Sequence, residues 1–594
     1  MRFAQKASKL LLPFLLLTAL TGQAQNQKDK GVTFTSRTDL VLVPVVVSDK
    51  AGTHIPGLAK DDFEIQEDGK SKPVATLEEI KTFTTRLNRT TQQPGVYSNA
   101  LSGNSSPKRL TIFALDLVNT PFLDQTYARE QLLKYLAHRM SSQEPTALLA
   151  IRLNGLEVLH DFSSDPAVLV AALKKATSDI SAIRGPNPNE AGTEVNLALG
   201  PTDRPFNPDQ INGEAQGLEQ FISGYGPDAQ AQIARGAEAI AVTLHAFQNV
   251  AEAFAGIPGR KSLIWATASF PFGLDAGSGA MLSPLAYRQG GLINAPLFGD
   301  RRNGGDLPSF PSVTEVLNNS ELTRLQPIYE RTLQMLNDAN IAVYPVDARG
   351  LLVFFPGADV SRIEGLASFN ATLFEGSRET MVNLADMTGG KAFYNRNDLD
   401  VAFAKAADDS ASYYLLGYYL DKNAKPGWHK LHVQLKRSGN EVRARSGFFV
   451  TAEAKQADAQ RMDVSLALVS PLDYTAVPLA VRWSGVKTEG AKKKVHFEID
   501  LPPDSKVVDT TKNGLLDLEV AVAARTAAGK SADQFAQRVH ANLKAAALQE
   551  SQTTGLNYNN DLIVPAGDYS VRFVVRDNLT GRLGSVTAPL RVTP

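Results

Sequence analysis

The stretch Leu110-Thr111-Ile112-Phe113-Ala114-Leu115-Asp116 decides the reading of the fold. It is nearly all apolar and shows no alternation, the pattern of a strand buried on both faces. Downstream, Tyr127 to Met140 places Leu132, Leu133, Leu136 and Met140 on one side of a helix. Thr146 to Ile151, Ser262 to Ala266 and Ile341 to Val346 repeat the apolar run, and Leu156 to His160 reads as a further strand. Helical patterns cover Pro166–Ala176, Ile233–Ala255, Leu325–Asn340, Glu379–Met387 and Leu399–Ser412. Strands alternating with helices predict an α/β unit, a doubly wound and mostly parallel sheet with helices on both faces. Two Gly- and Pro-rich stretches, about 184–228 and 272–311, break the rhythm and read as insertions.

Moving outward, Leu40 to Val47, Phe63 to Gln66 and Val74 to Ile80 form a small β module over residues 31–85. The polar stretch 86–108 reads as a linker. On the other side, Tyr413–Tyr419, His429–Leu435 and Val442–Val450 continue the central unit as strands, giving it bounds of 109–450. Residues 451–461 read as a second linker, and 462–594, with its short strands and turn signals, as an Ig-like β-sandwich.

The chain begins with Arg2, Lys6 and Lys9, an apolar run from Leu10 to Leu20, and Gly22-Gln23-Ala24. That is the pattern of a secretory signal peptide, residues 1–24, cleaved after Ala24. The run is shorter than the roughly 20 apolar residues a spanning helix needs, so no membrane span is expected after cleavage. Losing the signal removes three positive charges and takes the formal net charge from −1 to −4. Such a balance gives no reason to expect a nucleic-acid partner. The 594 residues include no cysteine, which excludes thiol catalysis and cysteine-bound zinc and suits a bacterial envelope, periplasmic or extracellular.

In order along the chain stand Gly57-Leu58, Asp61-Asp62-Phe63, Glu67-Asp68-Gly69, the strand ending at Asp116, and Gly259-Arg260-Lys261-Ser262-Leu263-Ile264-Trp265. Val346-Asp347-Ala348-Arg349-Gly350, Thr388-Gly389-Gly390, Tyr414-Leu415-Leu416-Gly417-Tyr418 and Arg443-Ala444-Arg445-Ser446-Gly447-Phe448 follow. This series resembles the VWFA-related (von Willebrand factor type A domain) family of exported bacterial proteins. The resemblance implies a protein-binding role, with a Mg²⁺ or Mn²⁺ held at the sheet's C-terminal edge by an Asp-x-Ser-x-Ser motif, a loop Thr and a later Asp. Hard oxygen donors suit such a cation.

Here the motif reads Asp116-Leu117-Val118-Asn119-Thr120. Asp116 and Thr120 match as metal ligands, but Val118 cannot coordinate. Thr267-Ala268-Ser269 stands where the second carboxylate belongs, and Thr193 is the candidate loop threonine. A degenerate site with no resident cofactor is expected, with Asp116 accepting loop N–H groups instead. Asn119, Thr267 and Ser269 are candidate partner-binding positions beside it.

Other signals are weaker. Gly529-Lys530-Ser531 lacks the first Gly of a phosphate loop, since Ala524 stands there, and Ser105 and Lys108 lie in a linker. His429 and His432 are three apart in a strand, so they face opposite ways and cannot share a metal. Asn395, Asn397, Asp398 and Asp400 could hold Ca²⁺ or cap the helix at Leu399. In a strand Tyr414 and Tyr418 share one face, and Tyr413 and Tyr419 the other; one pair is expected in the core. Arg443 and Arg445 share a face and are placed to pair with carboxylates. The expected function is non-enzymatic: protein–protein interaction, scaffolding or adhesion by an unidentified protein partner. The alternatives are an envelope hydrolase with its site in the insertions, or a structural surface-layer component.

Overall fold

The computed structural model describes residues 40–81, 94–100, 109–176, 227–270, 324–351, 378–450, 463–509 and 514–593, apart from 51, 142–143, 269, 422, 438 and 491. The signal peptide, Thr193, Ser269, the linker 451–461, most of the 184–228 insertion and all of the 272–311 insertion lie outside them.

The chain opens with strands β1 (Leu40–Ser48), β2 (Phe63–Glu67), β3 (Lys70–Lys72) and β4 (Thr76–Lys81). Asp68 and Gly69 alone join β2 to β3, both with positive φ, 50° and 77°. An Asp-Gly pair suits this two-residue hairpin because Asp tolerates, and Gly favours, the left-handed region. A short strand β5 (Val96–Ser98) follows.

Next comes a five-stranded sheet: β6 (Leu110–Asp116), β7 (Thr146–Arg152), β8 (Gly155–Ser163), β9 (Lys261–Thr267) and β10 (Ile341–Asp347). Its order is β10-β9-β6-β7-β8. Residues of β6, β9 and β10 are buried throughout, which accounts for their unbroken apolar runs. On one face, Phe113, Leu115, Ile264 and Tyr344 pack on helices α1 (Phe122–His138), α2 (Pro166–Lys175) and α6 (Leu399–Asp408). On the other, Ile112, Leu263 and Trp265 meet α3 (Pro227–Phe254), α4 (Leu325–Asp338) and α5 (378–388).

Strands β11 (Ser412–Tyr419), β12 (Gly427–Leu435), β13 (Glu441–Arg443) and β14 (Gly447–Val450) then return to the start of the chain. β11 lies between β1 and β4, and β12 between β14 and β2, all antiparallel. The two sheets share a core of Val43, Val45, Phe63, Ile65, Tyr414, Tyr418, Leu431 and Phe448. The expected module of residues 31–85 is thus half of a domain whose other half is 412–450.

The last unit holds β15 (Ala480–Glu489), β16 (Lys492–Leu501), β17 (Val508–Asp509), β18 (Leu515–Thr526) and β19 (Ser531–Asn542). Helix α7 (Ala545–Thr553) leads to β20 (Leu556–Val564), β21 (Gly567–Asp577) and β22 (Leu583–Val592). Two antiparallel sheets face each other across Val481, Phe497, Val520, Val571 and Phe573. β5, from the expected linker, is an edge strand here, paired with β15. Buried Asn99 fastens it, donating to Val477 O (2.9 Å) and accepting from Leu479 N (2.8 Å).

The expected fold class, a doubly wound and mostly parallel sheet flanked by a β module and a β-sandwich, is corrected by these pairings. Among the described residues strand outweighs helix, 45% against 28%, and most sheets are antiparallel. Among the described residues only β10, β9, β6 and β7 run parallel. β8 is antiparallel because two residues, Leu153 and Asn154, join it to β7, too few for a crossover. Apolar runs report burial, not pairing direction. Among the described residues no helix is long and apolar enough to cross a membrane.

Candidate functional site

The parallel strands end together at one edge, with Asp116 near its middle. Asp116 is buried, and donors surround its carboxylate. Oδ1 accepts from the backbone N–H of Val118 (3.1 Å) and Asn119 (2.9 Å). Oδ2 accepts from Asn119 Nδ2 (2.9 Å), Trp265 Nε1 (3.0 Å) and Thr267 Oγ1 (3.1 Å). Burial pushes the Asp116 carboxyl up, and the bonds from Asn119, Trp265 and Thr267 pull it back. Thr120 Oγ1 accepts from Ala268 N (3.1 Å), and Asn119 Nδ2 also reaches Thr243 Oγ1 (2.8 Å).

Asp116, Asn119, Thr120 and Thr267 are therefore brought together, but as a closed network. The group does not fit a hard cation. Both oxygens of the only carboxylate already accept hydrogen bonds, and apolar Val118 stands where a hydroxyl ligand would be needed. The arrangement fixes the loop after β6 to the end of β9 and to the middle of α3.

Around this closed centre the edge carries further charged and apolar residues. Asp347, at the end of β10, holds Arg349 through Nε (2.8 Å) and Nη2 (2.8 Å). Nearby Asp124 is pushed up to about 6 by burial, against the pull of Arg349, with a smaller push from Asp347. Phe122 and Leu123 at the start of α1, Leu153 in the β7–β8 turn and Leu351 after β10 stand 51%, 64%, 48% and 50% exposed at this edge. Two adjacent apolar residues directly after Pro121, at the start of α1, are the signal that could have marked it.

A separate cleft of about 680 Å³ lies between β8, the end of α3 and the C-terminal unit. Asn99, Asp161, Phe254, Leu468, Asp473 and Arg572 are among its lining residues, which include no histidine. Arg572 is spent on Asp473 (2.6 Å), Ala467 O and Ser585.

No family model matches this chain, and no curated protein does. The motif residues of the resemblance can still be followed to their places. Several meet at the junction between the central sheet and the domain of residues 40–81 and 412–450. Arg260 N donates to Tyr413 Oη (3.1 Å), and its guanidinium donates to Tyr344 Oη (3.2 Å) and Gly389 O. Arg443 and Tyr344 both bond Asp409, and Ser446 N donates to Asp386 O (2.8 Å). Lys261 Nζ donates to Ala339 O (2.7 Å) at the C-terminus of α4, and burial lowers it to about 7. A Cβ on Gly390 would lie 1.9 Å from Val343 O. These residues weld two units and expose no reactive group.

The oxygen-rich cluster is likewise consumed. Asp398 pairs with Arg396, Asp400 takes Lys134 and Arg139, and Asn397 Oδ1 accepts from Leu351 N. No side-chain cap bond comes from Asp398 to α6. Tyr414 and Tyr418 are core residues, Tyr413 is buried at the junction, and Tyr419 is exposed. Arg445 donates to Leu42 O and lies over Phe448.

Proposed function

We propose that this chain is an exported protein-binding component of a bacterial envelope or exterior, docking a protein partner through the C-terminal edge of its parallel sheet without a metal. The observation that carries the reading is the grouping of exposed Phe122, Leu123 and Leu351 around a sealed Asp116. Ends of parallel strands are where open α/β sheets present ligand-binding loops. Large apolar side chains collected at one place on a surface favour a protein contact. The export half of the reading rests on residues 1–24.

A photo-crosslinking amino acid at Leu123, at Leu351 and, as a control, at exposed Val486 in the C-terminal unit tests it in the producing cells. Discrete heteromeric adducts from 123 and 351, with none from 486, are expected. Adducts from none of the three positions, or the same pattern from all, would refute the reading. A ladder of multiples of the chain itself would favour a self-assembling surface layer.

A further inference from the structure

We infer a second, unrelated feature: Glu67, Asp68 and His429 form a binding site for a divalent transition metal such as Zn²⁺. The residues come from the β2–β3 hairpin and from β12, hundreds of positions apart. His429 Nδ1 lies 3.1 Å from Glu67 Oε1 and 3.0 Å from Asp68 Oδ2, and the three donor atoms lie within 4.8 Å of one another.

The hydrogen-bond arithmetic points to a cation. His429 Nε2 is 2.7 Å from Lys425 O, and a carbonyl can only accept, so the ring proton sits on Nε2. In the neutral ring Nδ1 then carries a lone pair, aimed between two carboxylate oxygens. His429 is 8% exposed, and Nδ1 makes no hydrogen bond despite the short distances. Glu67 is 4% exposed and its Oε2 makes none either. Three acceptors facing one another repel unless a positive centre stands between them. Tetrahedral ligands about 2.1 Å from a metal are about 3.4 Å apart, and His429 Nδ1 stands slightly closer than that to both carboxylates, at 3.1 and 3.0 Å.

The surroundings hold each ligand in place, as a metal site requires. Lys425 O sets the imidazole tautomer, and the ring stacks on Phe448 at 5.4 Å. Lys430 N donates to Asp68 Oδ1 (2.8 Å), leaving Oδ2 for the metal. Lys72 Nζ lies 3.5 Å from Glu67 Oε2 and 2.7 Å from Asp421. One imidazole with two carboxylates favours Zn²⁺ or its neighbours over Mg²⁺ or Ca²⁺. Asp68 is about half exposed, so an ion can enter from solvent.

The test is titration calorimetry of the full chain, stripped with chelator and then titrated with Zn²⁺, with Co²⁺ absorption as a second readout. One saturable site at micromolar or lower Zn²⁺ is expected, unaffected by millimolar Mg²⁺. His429→Gln and Asp68→Asn should each weaken it at least tenfold, and Asp116→Asn should leave it unchanged. Asp68→Asn retains an acceptor for Lys430 N and tolerates the positive φ, so it decides the matter if His429→Gln fails to fold. No saturable binding, or binding that survives both substitutions, means that His429 is only an ion-paired imidazolium and overturns the assignment.

Discussion

Asp116 and Glu67 are both buried acids at strand ends, and they meet opposite surroundings. Every atom bonded to the Asp116 carboxylate is a donor. Glu67 faces His429 Nδ1 and Asp68, with Lys72 and the Tyr418 hydroxyl beside it. A carboxylate encircled by donors is already neutralised by the fold. One that faces other acceptors asks for something from outside. Glu252 on α3 shows a third solution: burial and then repulsion from Asp463 push it up to about 8, so it keeps its proton.

The sharpest attempt to break this contrast is Asp116→Ala. It would orphan several buried donors and should cost about 3–5 kcal/mol in denaturant unfolding, with no recovery in Mg²⁺ or Zn²⁺. Metal-dependent recovery would show that the site is not closed. Next comes the metal-linked stability of the first β domain. Zn²⁺ at one hundred times its Kd should add about 2.7 kcal/mol, seen as a raised Tm that Asp68→Asn abolishes.

Glu252 supplies a pH test. The folded chain holds this proton up to about pH 8, while its ordinary value is 4.5. Its contribution is therefore complete below pH 4.5 and is lost as pH rises through 8. Glu252→Gln should flatten that part of the Tm–pH curve, and an unchanged slope would place the proton elsewhere. The smallest effect belongs to the rim. Leu123→Ser should alter stability by no more than about 0.5 kcal/mol while removing partner capture. A large loss of stability would make Leu123 a packing residue instead.

The parts of this architecture that could be read from sequence are those where burial alone writes the pattern. Leu110–Asp116, Ser262–Ala266 and Ile341–Val346 lie in strands covered on both faces, and they read as such. Pairing between distant strands left no such mark. Val45 lies opposite Tyr414, and nothing in either segment names the other. Asp116 could be seen to lack hydroxyl and carboxylate companions. That Trp265 would donate to it could not be seen, because this depends on the register of β9 against β6. Period two kept His432 away from His429, but it could not place Glu67 across the neighbouring strand. The exposed pair Phe122-Leu123 is legible as two adjacent apolar residues directly after Pro121, at a helix start.

The split β domain has a consequence for biosynthesis. Strands β1 to β4 are complete by Lys81, yet the sheet partners of β1 and β4, and the second partner of β2, begin only at Ser412. At about 5–20 residues per second, roughly 330 intervening residues take between about 15 and 70 s to appear. Throughout that interval the Val-rich run of β1 has no mate and is open to pairing with another chain. Pro44, in the middle of that run, withholds one backbone donor and lowers this hazard. A nascent chain waiting so long would gain from a holding chaperone until residue 450 has emerged.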